Sequence, residues 1–332
     1  MRFIPYEELG ERPNILVDGL PNPHTVLSLS HWPKSGTPAA LKADLSAEIV
    51  FNYLDQPSSY AAAEAVSNNH FDEDGLIGVY TLLEPERAGA QRKLLIDVAS
   101  AGDFNTCESR QAARIAFVLA RFSEAATSPL DRALFALPHA ECGAALYREL
   151  LPRLPDLLAR PDQYRKHWEQ DEALLERSEA AIRDGRIRIE DNARLDLAVV
   201  SLPERAGGAG MPLFTENLAA VCHPMALYNA TRRFRVLLMQ GRTYELGYRY
   251  ETWVQYVSVR PAPRVDLAPL AEALSGEEQG GARWEFDGVE EITPSLRLAG
   301  AVESSIAPEA FRSSVEAFLG AAPPAWDPYD PG

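Results

Sequence analysis

Thiols, lysines and long apolar runs are all scarce in this chain of 332 residues. The three cysteines, Cys107, Cys142 and Cys222, have no CxxC spacing, so neither a disulfide framework nor a thiolate zinc site is indicated. No stretch approaches the roughly 18 apolar residues of a membrane span. The N-terminus MRFIPYEELG lacks the basic region and apolar run of a secretory signal. A cytoplasmic protein with reduced thiols is expected. Positive charge is also short, at 32 Lys and Arg against 48 Asp and Glu. The resulting charge of −16 repels long nucleic acids and anionic membranes. Lys34, Lys42, Lys93 and Lys166 are the whole lysine set, so most basic side chains are arginine and must be judged by position.

What is present suits a packed protein. Hydrophobic residues make up 46% and charged residues 24%, enough to bury a core, and the length fits two domains. In the first hundred residues, short apolar runs end in polar turns at Asn14–Asp18, Thr25–Ser30, Glu64–Ser67 and Lys93–Val98, and read as strands. Pro38–Leu54 and Leu76–Leu83 read as helices between them. That alternation predicts an α/β domain with a mostly parallel sheet and a ligand site at its carboxyl edge.

From Glu108 to about Gly185 the pattern is helical. Strands then return: a hairpin from Arg186–Glu190 and Leu195–Leu202 around Asp191-Asn192, a flexible Ala206–Gly210 loop, and a set at Phe234–Gln240, Thr243–Tyr250 and Trp253–Val259. Helices over Asp266–Leu274 and Pro308–Leu319 flank a short strand at Trp284–Val289. The expected division is an α/β domain with its helical connector over 1–185, a smaller mixed or antiparallel sheet domain over 186–325, and a loose proline-rich tail over 326–332.

The richest stretch chemically is SNNHFDEDGLIGVYTLL, Ser67–Leu83. His70, Asp72 and Asp74 are spaced i, i+2, i+4, which puts them on one side of an extended backbone. Gly75 then permits a sharp turn into a helix capped by Asp74. One imidazole with two carboxylates is a hard, mixed nitrogen and oxygen set suited to Mn²⁺, with Mg²⁺ as the alternative. Asp97, read as the end of the next strand, is the expected fourth ligand and the carboxylate bridging a metal pair. Asp74 and Asp97 are thus the expected catalytic residues, while Asp103 reads equally well as an ordinary turn carboxylate.

Other residues are candidates for the substrate. His31 precedes a loop, WPKSGTP, in which Lys34 and backbone N–H groups suit an anion, although turn chemistry is the commoner reading. Between Thr231 and Arg264 stand Arg232, Arg233, Arg235, Arg242, Arg249, Arg260 and Arg264 against Glu245 and Glu251. This basic run suits a phosphate-facing wall, or arginines paired with acidic side chains of the first domain. Arg232 and the preceding His223 are the expected contacts there. His139 and His167 read as structural and solvated histidines.

The run NHFDEDGL resembles the first motif of the DHH phosphoesterase superfamily, in which H-x-D-x-D-G after a strand supplies ligands of a two-manganese centre. The resemblance implies that Asp97 corresponds to the second-motif aspartate, and the segment order is similar to that superfamily's. RPAPRVDLAPLAEALSGEEQGGARWEFDGV looks like the end of its substrate domain, with Gly280-Gly281 and Arg283 in place of a glycine-histidine phosphate loop. No Asp-His-His is present. The whole chain also looks like a mainly actinobacterial family of unknown function sharing SNNHFDEDG and YRYETWVQ.

The expected function is a metal-dependent, phosphoesterase-like hydrolase of a small phosphorylated molecule or nucleotide. The alternatives are a non-catalytic binding or regulatory protein with a degenerate cleft, and a metal hydrolase acting on a substrate without phosphate.

Overall fold

The computed structural model describes residues 1–203 and 221–330, so the Ala206–Gly210 loop and the last two residues of the tail lie outside the described part. The chain forms two compact units. Met1–Glu172 together with Val254–Val259 make the first, and Ala173–Trp253 with Arg260–Gly332 the second. The division falls within the helix Glu169–Arg183, not at residue 185.

The first unit holds a four-stranded, all-parallel sheet of β1 (Arg2–Phe3), β2 (Asn14–Val17), β3 (Thr25–Leu29) and β4 (Ala65–Ser67) in the order β1-β4-β2-β3. Every residue of β2 and β4 is buried. Strands covered on both faces read as apolar runs, which is why Ile15–Val17 and Ala65-Val66 stand out in the sequence. Only residues 18–24 join β2 to its parallel neighbour β3. Such pairs usually need a dozen or more connecting residues, so no helix fits between these two strands.

Five helices follow: α1 (Ser46–Leu54), α2 (Glu73–Leu83), α3 (Pro85–Gly89), α4 (Arg92–Asp103) and α5 (Arg110–Ser123). α1 packs on α2, α2 on α4 and α4 on α5. The helix expected over Pro38–Leu54 is split into a 3-10 turn at Ala39–Leu41 and α1, because Lys42 and Leu45 take extended backbone angles. The strand expected at Lys93–Val98 is a helix. Its run LLIDV is continued by ASAGD into three turns whose buried side, Leu95, Val98, Ala99 and Ala101, has helical spacing. Helices at His139–Leu150, Leu154–Ala159 and Glu169–Arg183 form the expected helical region. Among the described residues no helix is long and apolar enough to cross a membrane.

The second unit is built on a six-stranded mixed sheet. Its strands are β5 (Arg188–Asn192), β6 (Leu197–Ser201), β7 (Arg235–Gln240), β8 (Thr243–Tyr248), β9 (Arg283–Phe286) and β10 (Ser295–Ala299), in the order β5-β6-β7-β8-β10-β9. Only β6 and β7 pair in parallel. Leu197, Val199 and Leu237 enter one apolar cluster, and Ala198, Val200, Val236 and Leu238 the other, so alternate residues serve opposite faces.

Two details differ from expectation. Asp191 and Asn192 lie within β5, and the hairpin turns after them. Trp253–Val259 is no strand; a 3-10 turn at Tyr250–Thr252 ends the run, and residues 254–259 belong to the first unit. The tail is also tied down, since Arg264 and Trp326 form a β-bridge and Arg260 pairs with Asp327 at 2.7 Å.

Candidate metal centre

Adjacent parallel strands deliver the cluster. Asp18 follows β2, His31 lies just beyond β3, and His70 just beyond β4, so three side chains meet at the carboxyl edge of neighbouring strands. Asp18 adopts φ +48°, a left-handed conformation that aspartate tolerates better than most side chains. Asp72 and Asp74 come from the start of α2, and Asp103 from the last residue of α4.

The Asp18 carboxylate sits between two histidines. Its Oδ1 is 3.4 Å from His31 Nε2, and its Oδ2 is 3.3 Å from His70 Nε2. Two ligand sets share it: Asp18, His70 and Asp72 on one side, and Asp18, His31 and Asp74 on the other. On the His70 side, Nε2 lies 2.6 Å from Asp72 Oδ2. On the His31 side, Nε2 lies 3.9 Å from Asp74 Oδ2 and 3.5 Å from Asp103 Oδ2.

Backbone and hydroxyl groups fix these side chains. Ser46 Oγ donates to Asp18 Oδ1 at 2.7 Å. The first two N–H groups of α1, on Ser46 and Ala47, donate to the two oxygens of Asp74 at 2.7 and 2.8 Å. Asp74 was expected to cap its own helix, but Asp72 does that, accepting from Gly75 N at 2.8 Å. A residue in the first turn of α2 thereby satisfies the orphan N–H groups of α1. His31 Nδ1 is 2.6 Å from the Asp44 carbonyl oxygen. A carbonyl only accepts, so Nδ1 carries the proton and Nε2 of a neutral ring offers its lone pair to the cluster.

Electrostatics show what the arrangement lacks. Burial disfavours an ionised Asp18, but His70 and His31 outweigh it and hold its pKa at about 2. Burial likewise disfavours the His70 cation, yet Asp72 and Asp18 push its pKa to about 11. Burial and the charges of Asp18 and Asp72 raise the Asp74 carboxyl well above the usual range. Asp103 is raised the same way by burial and by Asp74 and Asp72, and Glu73, beside them, reaches about 7 through burial and Asp72.

Four carboxylates outnumber two imidazoles even when both rings are charged. Each unpaired buried ion costs several kcal/mol. Among the described residues, Asp18 Oδ2 and Asp103 Oδ2 are buried without a hydrogen bond. Unsatisfied hard oxygens beside an imidazole lone pair fit a divalent cation of the Mn²⁺ or Mg²⁺ type.

Of the residues singled out from sequence, His70, Asp72 and Asp74 come together. Asp97 does not join them. It lies on α4, where its oxygens accept from Glu108 N at 2.7 Å and from Ser109 N and Oγ at 2.9 and 2.7 Å, fastening the start of α5. Lys34 is exposed, and the hydroxyls of its loop, Ser35 and Thr37, both donate to Ser30 O. His223, Arg232 and Arg283 belong to the second unit. There His223 caps the helix Pro224–Ala230, while Arg232 and Arg283 are exposed.

The expected arginine wall is largely internal scaffolding. Arg264, fully buried, donates to the carbonyls of Val289, Glu291 and Ile292; Arg235 donates to those of Leu195 and Pro263; Arg249 pairs with Glu251. Sequence reasoning missed Asp18 as a ligand and gave His31 and Asp103 other roles. The available signal was that NILVD and TVLSLSH each place a ligand at the end of a buried strand.

The fold and cluster define a two-sheet α/β protein with a buried aspartate and histidine centre at the edge of its parallel sheet. The chain belongs to DUF6687, a family of unknown function, whose profile matches residues 1–330. Neither curated proteins nor solved structures give a match.

Proposed function

We propose that this protein is a divalent-metal-dependent hydrolase of a small phosphorylated molecule. The observation that carries the reading is the Asp18 carboxylate, shared between the His70/Asp72 and His31/Asp74 ligand sets. Filled with Mn²⁺ or Mg²⁺, a site of this kind supplies an activated water and offsets charge on a phosphoryl group. Ser46 and the α1 N–H groups hold Asp18 and Asp74 in place, and the Asp44 carbonyl orients His31. Such supporting bonds keep ligands preorganised. The likeness of NHFDEDGL to the first DHH motif supports a phosphoester substrate, and the net charge of −16 favours a small one over a long nucleic acid.

The test is to purify the chain with Mn²⁺, count the metal, and screen phosphomonoesters, dinucleotides and pyrophosphate for turnover. Roughly two Mn²⁺ per chain are expected, as in a carboxylate-bridged pair. Asp18→Asn and Asp74→Asn should each abolish turnover. Turnover that survives Asp74→Asn would remove the centre from the reaction, and metal binding without any turnover would leave a binding or regulatory protein.

A further inference from the structure

The first unit contains a cavity of about 550 Å³ whose walls include Leu45, Glu48, Ile96, Ser100, Phe104 and Tyr256. Ile96, Ser100 and Phe104 are spaced by four along one stripe of α4 and its end. Asp103, immediately before Phe104, carries the carboxylate 3.5 Å from His31. At the other wall, Leu45 and Glu48 flank Ser46 and Ala47, whose N–H groups hold Asp74. Asp44 completes the link. Its carbonyl binds His31, and its carboxylate accepts from Val257 N and Ser258 N at 2.6 and 2.7 Å, anchoring the segment that carries Tyr256. Cavity and cluster therefore draw on neighbouring residues at α1's start and α4's end.

The wall chemistry selects a ligand. Phe104 and Tyr256 meet edge to face, with centroids 5.2 Å apart at 83°, and offer aromatic surface to a flat ring. Glu48 places a carboxyl acceptor in the wall. Arg92 and Lys93 also line the wall, and both are engaged, Arg92 with Asp55 and Lys93 with Glu108 of the same wall, each at 2.9 Å. Aromatic faces with a carboxylate acceptor suit a neutral heterocycle bearing N–H donors, and the volume lies within the usual range for small-molecule sites.

We propose that this cavity binds a purine nucleobase, so that the substrate of the centre is a nucleoside phosphate whose base lies here. The second clause rests on the hydrolase reading; the first does not.

Calorimetry with guanosine, which has no phosphate, separates the two. The full-length protein should bind guanosine with or without Mn²⁺. Ile96→Trp, which fills the cavity, and Tyr256→Ala, which removes a ring, should each weaken binding about tenfold, the usual scale for a lost stacking surface. Gly89→Ala, outside the cavity walls and with no atom within 4 Å of the added methyl, should leave guanosine affinity unchanged. No saturable binding of guanosine, or binding indifferent to both folded cavity variants, overturns the base site even if phosphoesters are hydrolysed. Guanosine binding that obeys the variants while none of the screened phosphate compounds, guanosine monophosphate included, is turned over with Mn²⁺ keeps the base site and sinks the hydrolase reading.

Discussion

Asp97 accepts two hydrogen bonds from Ser109, one from the backbone N–H at 2.9 Å and one from the hydroxyl at 2.7 Å. With a third from Glu108 N, the carboxylate satisfies backbone donors that open α5. Asp97→Ala is expected to lower unfolding stability by about 1–3 kcal/mol, seen as a shift in urea midpoint. Its Mn²⁺ stoichiometry should equal that of the unmodified chain. Loss of metal without loss of stability would return Asp97 to the centre.

Asp18 is expected to behave in the opposite way. A ligand that binds only the folded state at 100 times its Kd stabilises by about 2.7 kcal/mol per site. Mn²⁺ should therefore raise the melting temperature, EDTA should reverse the rise, and Asp18→Asn should remove most of it because both ligand sets contain that residue. An equal Mn²⁺-dependent rise in the variant would rule out a shared carboxylate.

Much of the local sequence pattern was readable, while the assembly of the site was not. Asn14–Val17 and Thr25–Leu29 declare themselves because strands of a covered parallel sheet are rich in apolar residues, here Ile15–Val17, Val26, Leu27 and Leu29. His70, Asp72 and Asp74 were legible because their grouping is local. Asp18, His31 and Asp103 join them through strand order and helix packing, which no spacing along the chain records. Lys93–Val98 misled because three apolar residues in a row, Leu94–Ile96, satisfy a strand and a buried helix turn equally well. The arginines of 232–264 misled because a count of charges says nothing about which of them meet carbonyls inside their own unit.

Gly75 should tolerate no side chain. A Cβ there would overlap Asn68 Nδ2 and stand 2.7 Å from Tyr147 Oη and 2.9 Å from Asp72 Oδ1. Gly75→Ala is expected to cost about 1–3 kcal/mol by overpacking and to weaken Mn²⁺ binding by displacing Asp72. Gly89→Ala is the control, with no atom within 4 Å of the added methyl. It should be neutral or stabilising by up to about 1 kcal/mol in thermal melts. Equal behaviour of the two would refute the tight fit at Gly75.

Glu278 gives the second unit an acid-sensitive tie. It accepts from Trp284 Nε1 at 3.0 Å and from Ser305 N and Oγ at 2.8 and 2.7 Å, as well as from Ser304. Burial works against its ionisation, but these donors bring its pKa below 4.5. A lowered folded-state pKa adds stability that is fully present above about pH 4.5 and is lost as pH falls through the folded value. Glu278→Gln should flatten the acid limb of the stability profile in urea titrations run between neutral and acidic pH. An unchanged limb would deny the carboxylate this role.

The segment from Val254 to Val259 returns to the first unit after the chain has built most of the second sheet. As a result, no single cut in the polypeptide releases the first unit whole. A fragment ending at Glu172 would keep Asp18, His31, His70, Asp72, Asp74 and Asp103, yet leave the Asp44 carboxylate without its two backbone donors and the cavity without Tyr256. Dissection of this protein calls for circular permutation or for supplying that hexapeptide in trans, and activity missing from a simple truncation would speak to lost architecture before it spoke to lost chemistry.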